Sequence, residues 1–595
     1  MASDRPGEAR RARAPLMPAR LPHADCGYDI YPAHDIGPER IIIGHAQIAG
    51  ALANYATITL DGYAGVAWQE FRRQLTGAWN SQGIVSEWID VTQALRPASQ
   101  LQALTGPYTG GDDPIFGTAF TGDLSDFFDA DKLGGLKPSG NADVALVFGC
   151  GAALACWDGA LVYLEVPKNE IQFRARAGSA TNLGVACLES PRAAYKRNYF
   201  IDWPVLNRHK EKLLPGIDLL IDEQRSADPT AIRGTDLRQA LDELTRVPLR
   251  TRPWFEPGAW GGQWMKRHIP RLPQDVPNYA WSFELISPEN GLVLESSGIS
   301  LEISFDTLLF HDARAVLGES ASRFGAEFPI RFDFLDTFDG GNLSVQVHPR
   351  PEYIRANFGE RFTQDEAYYI LDCRPGAEVY LGFRADIDPD QFRTVLDDSA
   401  QTGRPIDVKR FVQTHPARRH DLFLIPHGTI HCSGVDNLVL EISATPYIFT
   451  FKLYDWVRPD LDGKLRPLNI ERGMANLDFE RKGDLLGSEH ISCPELIAEG
   501  PDWRLIHLPT HPDHFYDVRR IELDAGEFEL PTADSVQVMS LVEGDHVVVE
   551  AGGRRTRYGF AETFIVPAAA ERVRFHAERP VKVVTANVKP GRGPL

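Results

Sequence analysis

Three short segments far apart in the chain carry one chemistry: Gln346-Val347-His348-Pro349, then Glu366 in Asp365-Glu366-Ala367-Tyr368-Tyr369, then His431 closing Pro426-His427-Gly428-Thr429-Ile430-His431. In an extended strand side chains repeat with period two, so Gln346 and His348 point to one face. Two imidazoles, a carboxylate and an amide oxygen form a mixed N/O set suited to a zinc-like divalent ion. With no thiolate among them, the set has the character of a catalytic site, which keeps a position open to water or substrate. A single strand histidine is more often an ordinary hydrogen-bonded residue, and amides are uncommon ligands. Only the four residues together point to a metal. A hairpin-and-helix excursion is predicted between His348 and Glu366, and the Pro-x-Gly-Thr turn aims His431 inward.

The chain's 595 residues exceed one core, and roughly three or four domains are expected. Hydrophobic and charged fractions of 43% and 24% are ordinary for a globular protein. With 62 basic against 82 acidic residues the net charge is −20, which disfavours nucleic acid or an anionic membrane as partner. Phosphorylated sugars remain open, since they need only a local basic pocket. Cys26, Cys150, Cys156, Cys187, Cys373, Cys432 and Cys493 form no CxxC pair, as expected of reduced thiols in a cytoplasmic protein. Cys432 adjoins His431, and strand alternation turns its sulfur away from the ligand face. No apolar run approaches a membrane span. The Arg-, Ala- and Pro-rich start has no apolar core and is expected to be a disordered or extended tail, residues 1–40, with no signal peptide.

Residues 41–245 are expected to form an α/β domain. Tyr55-Ala56-Thr57-Ile58-Thr59-Leu60 has the pattern of a buried strand, Asp61 to Gln69 that of a Gly-containing turn, and Phe71, Leu75 and Trp79 that of a helix. Strand, turn and helix in this order form the layout of a phosphate-binding loop. Where that loop needs Gly-Lys-Thr, the chain has Ala67-Trp68-Gln69, so neither the lysine nor the magnesium-holding hydroxyl is present. With strands at 145–149 and 161–167 and the basic pair Arg174 and Arg176, the region weakly resembles a uridine-kinase-like P-loop fold that has lost its loop. An unrelated α/β domain with an ordinary glycine turn is the other reading. Neither is a working kinase; oligomerisation, scaffolding or sensing of a phosphorylated ligand are the roles left open.

After a Pro-containing linker at Val247-Pro248 and Arg252-Pro253, residues 250–445 are strand-rich, 446–500 mix helix and loop, and 501–595 return to short strands with a barrel rhythm. Helix is predicted at Asp388–Asp398. The last segment carries no Gln-x-His or matching Glu and is expected to hold no metal.

Several further stretches accompany the ligand set: Trp260-Gly261-Gly262, Trp281-Ser282-Phe283-Glu284-Leu285, Leu343 to Pro349, Tyr369-Ile370-Leu371-Asp372, Pro375-Gly376-Ala377, Tyr380-Leu381-Gly382-Phe383 and Tyr454-Asp455. In this order and spacing, residues 250–595 resemble a class I (zinc-dependent) mannose-6-phosphate isomerase of the short bacterial type. The resemblance implies two cupin (jelly-roll) domains, a catalytic metal-binding one and a metal-free C-terminal one. It implies one Zn2+ per chain on Gln346, His348, Glu366 and His431, other divalent metals being compatible. It also implies conversion of mannose 6-phosphate to fructose 6-phosphate through an enediol.

Two positions depart from the family. Lys452 in Phe451-Lys452-Leu453-Tyr454-Asp455 stands where the family has Arg, with Arg458 as the second basic residue; both are catalytic candidates. Lysine keeps the charge but loses the bidentate fork. It can stabilise an enediolate or, with a depressed pKa, shuttle a proton. Gln364 replaces a lysine two residues before the ligand Glu366; it can hydrogen-bond a phosphate but not neutralise it. Lys464 and Arg466 match a family stretch and are assigned to a solvated loop. The alternatives are an isomerase or epimerase for another sugar or sugar phosphate, and a non-catalytic sugar-phosphate sensor. Oligomeric state and the catalytic base are not legible.

Overall fold

The computed structural model describes residues 10, 12, 14–22, 27–111 and 113–591. The chain divides into two compact units that interleave in sequence. The first comprises Tyr31–Leu244 and Pro288–Asp312 with described residues before 23; the second comprises Thr245–Ser287 and Ala313–Leu595 with residues 27–30. The contiguous boundaries expected at 41–245 and 250–445 did not anticipate this exchange. Its physical reason is a hairpin. Gly291–Ser296 and Ile299–Ser304 pair around Ser297 and Gly298, both at positive φ, as a tight two-residue turn between twisted strands requires. Ala33–Asp35 adds in parallel to Gly291–Ser296, and the hairpin's Leu292, Leu294, Leu301 and Ile303 are buried within the first unit.

The same hairpin orders part of the expected tail. Ser300 donates its amide to the Ala19 carbonyl at 2.8 Å, Arg225 donates to Met17 O at 3.1 Å, and Met17 is buried. Residues 1–9, 11, 13 and 23–26, including Cys26, lie outside the described residues.

Among the described residues the first unit has a seven-stranded sheet in the order Ile41–Ile43, Thr230–Arg233, Leu219–Asp222, Ala160–Glu165, Thr57–Gly62, Val144–Phe148, Ser86–Asp90. The last five are mutually parallel. Val144–Phe148 is buried along its whole length, as a strand covered on both faces must be. Thr57–Gly62 lies mid-sheet and runs through a turn into helix Trp68–Asn80, whose Phe71, Leu75 and Trp79 recur every four residues and face inward. The turn is filled from within. Ala67 N donates to Glu223 Oε2 at 3.3 Å, and Arg174 Nη1 donates to both Gly65 O at 2.7 Å and Glu223 Oε2 at 2.6 Å.

Among the described residues the second unit holds two antiparallel β-sandwich barrels. In the first, a six-stranded sheet (Leu422–Ile425, Glu366–Cys373, Asn437–Ala444, Ile330–Asp336, Trp281–Leu285, Trp254–Glu256) accompanies a five-stranded one (Val412–Pro416, Glu378–Phe383, His431–Ser433, Val345–Val347, Phe451–Tyr454). The helical excursion after His348 is Pro351–Phe358. The helix expected at 388–398 is Pro389–Thr402, started by Asp388, whose side chain accepts from the amides of Asp390 and Gln391. Helices Ile470–Asn476 and Leu485–Glu489 lie in the connecting segment. The C-terminal barrel pairs a six-stranded with a four-stranded sheet around Met539, Leu541, Val549, Phe564, Val573 and Val583.

Candidate metal centre in the first barrel

Strand register places the candidate ligands. Val345–Val347 lies between His431–Ser433 and Phe451–Tyr454, with Gln346 opposite His431 on one side and opposite Lys452 on the other. Directly paired residues share a face. Three of the predicted site residues, Gln346, His431 and Lys452, therefore project from one sheet. Glu366 opens its strand on the other sheet, so the set spans the barrel interior.

Donor atoms of His348, Glu366 and His431 lie within 4.8 Å of one another, and all three residues are buried. His348 Nε2 meets Glu366 Oε2 in a short contact, and His431 Nε2 lies 3.3 Å from the same oxygen. The Gln346 amide is 3.2 Å from His431 Nε2. Each imidazole is fixed from behind: His348 Nδ1 donates to Phe449 O at 3.2 Å and His431 Nδ1 donates to Thr429 O at 2.9 Å. Both Nε2 atoms thus face the carboxylate. The other carboxylate oxygen, Glu366 Oε1, is buried without a protein hydrogen-bond partner, an acceptor that a cation would satisfy.

Burial pushes His348 below the ordinary imidazole range, against the pull of Glu366. Burial also works against ionising Glu366, but the two histidines outweigh it and hold the carboxyl well below the carboxylate range. Neutral imidazoles and an ionised carboxylate are the forms that bind a metal.

The turn presenting His431 is clamped. Gly428 adopts φ +81° and donates its amide to His348 O at 3.0 Å; Arg481 Nη1 donates to Pro426 O at 2.8 Å and to Thr429 Oγ1. Cys432 is buried on the alternate face, and burial raises its thiol far above the usual range.

Around this set the structure shows what three further residues of the sequence reading touch. Arg458 is tied to Asp455 at 2.7 Å and to Asn342 O at 2.9 Å. Arg466, assigned to a solvated loop, grips the same Asp455 with two bonds of 2.6 and 2.7 Å and reaches Ser344 Oγ at 3.0 Å. Gln364 is buried; with its amide oriented to satisfy its neighbours, it donates to Pro446 O and Tyr447 O and accepts from Arg331. An amide so engaged is not presented to a phosphate. Tyr368 was missed: its ring meets His431 edge-on at 5.9 Å, and its position two after Glu366 is the signal that would have found it.

Fold and donor set together define a class: two-barrel, cupin-like proteins with a candidate metal centre inside the first barrel. Two curated relatives from Bacillus subtilis (strain 168) are similar to the chain. "Probable mannose-6-phosphate isomerase GmuF" is 32% identical over 244 residues, 41% of this chain and 70% of the relative. "Mannose-6-phosphate isomerase ManA" is 29% identical over 261 residues, 42% of this chain and 78% of the relative. The chain belongs to the mannose-6-phosphate isomerase family, a family of aldose–ketose isomerases. The crystal structure of the mannose 6-phosphate isomerase from Bacillus subtilis aligns with 18% identity and a TM-score of 0.47, covering 57% of this chain and 100% of that one. Residues 44–246 match a family model described as a domain of unknown function (DUF8485).

Proposed function

We propose that the chain interconverts mannose 6-phosphate and fructose 6-phosphate through an enediol in its first barrel, with Gln346, His348, Glu366 and His431 holding one divalent ion, zinc by preference. The observation that carries this reading is the convergence of two oriented imidazoles and a carboxylate from three distant segments in one buried interior. When bound, the ion supplies Lewis-acid polarisation of a sugar oxygen. The protein residues do the rest. Lys452, in register beside Gln346, brings a cation to the face where oxyanion charge develops at C1 or C2. Arg458, tied to Asp455 and to Asn342 O, is kept as the second basic candidate of the reaction. Barrel walls exclude bulk water, which limits exchange of the proton in transit between C1 and C2 with solvent.

For the first unit we infer a degenerate P-loop-like fold without nucleotide chemistry. Support comes from the mid-sheet strand leading into a helix, and from the Glu223 carboxylate seated at the turn where a phosphate would otherwise bind. The no-nucleic-acid expectation rests on the net charge of −20, and the cytoplasmic one on the unpaired thiols at the six described cysteines. No helix among the described residues is long and apolar enough to cross a membrane.

A coupled assay of mannose 6-phosphate conversion by zinc-loaded protein tests the main reading. Turnover that falls by a factor of ~10³ or more in His348→Ala supports it. Absence of turnover in the folded, zinc-replete wild type rejects this substrate and directs the search to other sugars or to sensing.

A further inference from the structure

Outside the first barrel's interior, the second unit buries a second group of imidazoles. His490 follows helix Leu485–Glu489, and His511 and His514 stand at the two ends of the turn entering strand Tyr516–Leu523. Ring centroids are 5.4 Å apart for His490 and His511 and 5.9 Å apart for His511 and His514. The His514 amide donates to His511 O at 3.0 Å, so one tight turn brings both rings to the same neighbourhood.

The polar accounting here is unusual. His490 is 2% and His514 0% exposed, and neither ring nitrogen of either residue has a hydrogen-bond partner. A buried polar group left without a partner is destabilising. Two imidazoles on either side of His511, with all four nitrogens unsatisfied, therefore call for a bound species. Burial holds both rings neutral, each pushed down to about 3, so their lone pairs are available at neutral pH. Asp513 stands beside them, its carboxylate 3.4 Å from His511 Nδ1 and 3.4 Å from Arg481.

We propose that His490, His511 and His514, with the Asp513 carboxylate, form a second metal site for a divalent ion of the imidazole-preferring class, of which zinc is the type. Two imidazoles on a tetrahedral zinc, with Zn–N near 2.0–2.1 Å, place their ring centroids roughly 5 Å apart, near the spacing of each outer ring from His511. The donor atoms of the group do not yet lie within 4.8 Å of one another, as those of the first-barrel set do. His348 and His431 in the first barrel are separated by a similar 4.9 Å. The second set is less converged than the first, so ligation requires ring rotation. It also requires exchange of the 3.2 Å bond that the Asp513 amide makes to His511 Nδ1. The N₃O donor set is buried at His490 and His514, and a closed site of this kind is structural in character. The ion would clamp the connecting segment to the turn that enters the C-terminal sheet. The site lies outside that barrel's interior, which was expected to hold no metal.

The test uses the full chain carrying His348→Ala and His431→Ala, which removes the first-barrel imidazoles. After equilibration with zinc and removal of free metal, mass-spectrometric metal analysis is expected to find about one ion per chain, lost on adding His511→Ala and His514→Gln. Cobalt titration of the same variant is expected to give tetrahedral visible absorption bands, read without further substitution and so independent of whether the larger variant folds. Retained zinc with the cluster mutated and circular dichroism unchanged would overturn the proposal. So would no zinc and no cobalt spectrum in the first variant.

Discussion

At the residue scale, the candidate set was legible because strand periodicity is local: the runs around Gln346, His348 and Glu366 suggest their faces in the sequence itself, and the structure brings His348, Glu366 and His431 together. Lys452 became interpretable only through register, since nothing in Phe451-Lys452-Leu453 states that Lys452 pairs with Gln346. If Lys452 stabilises developing oxyanion charge, Lys452→Ala should lower kcat by ~10²–10³-fold, while Lys452→Arg keeps most of the activity. Equal losses in both variants, measured by steady-state kinetics, would show that shape rather than charge matters there. Asp336 offers a test away from the ligands. Burial raises its carboxyl to about 7 despite amides donated by Met265 at 2.9 Å and Phe338 at 3.0 Å. Its folded pKa lies above the unfolded value of about 3.9, so the folded state binds the extra proton. Its contribution is fully present below about pH 4 and is lost as pH rises through about 7. Asp336→Asn, which cannot ionise, should gain stability relative to wild type between pH 4 and 7, read from urea midpoints. A difference flat with pH would contradict the raised pKa.

At the element scale, the sequence revealed which segments are strands and helices better than what holds them. A helix was expected at 388–398, and the structure extends it to Pro389–Thr402 behind an Asp388 cap, a contact between near neighbours. The Pro426–His431 turn was visible too, but its clamp was not. Arg481 lies some fifty residues downstream and reaches the turn only in the folded chain. The same holds for the joint grip of Arg458 and Arg466 on Asp455, and for Arg331 on Gln364. Supports of this kind orient ligands from behind and commonly govern metal affinity by 10–100-fold. Arg481→Ala should therefore weaken zinc binding at the first-barrel centre by roughly that factor, with far-UV circular dichroism unchanged. Unaltered affinity in isothermal titration would mean that backbone bonds alone, such as Gly428 N to His348 O, hold the turn.

At the scale of the whole molecule, the barrels' family resemblance was readable because its motifs recur in order across hundreds of residues. The interleaving of the units was not. Hairpin Gly291–Ser304 is buried along most of both strands, and nothing local in its sequence states which unit covers it. The first unit's turn likewise declared its missing lysine in sequence, whereas the Glu223 carboxylate occupying it comes from a strand end 156 residues away. The central claim is that isomerisation depends on an ion held by the first-barrel set. Activity after chelation and reconstitution addresses it most directly. Protein stripped of metal should convert mannose 6-phosphate at background rate, and stoichiometric zinc should restore turnover in the wild type but not in His348→Ala. Full activity in the stripped protein, or restoration in the variant equal to wild type, would contradict the account.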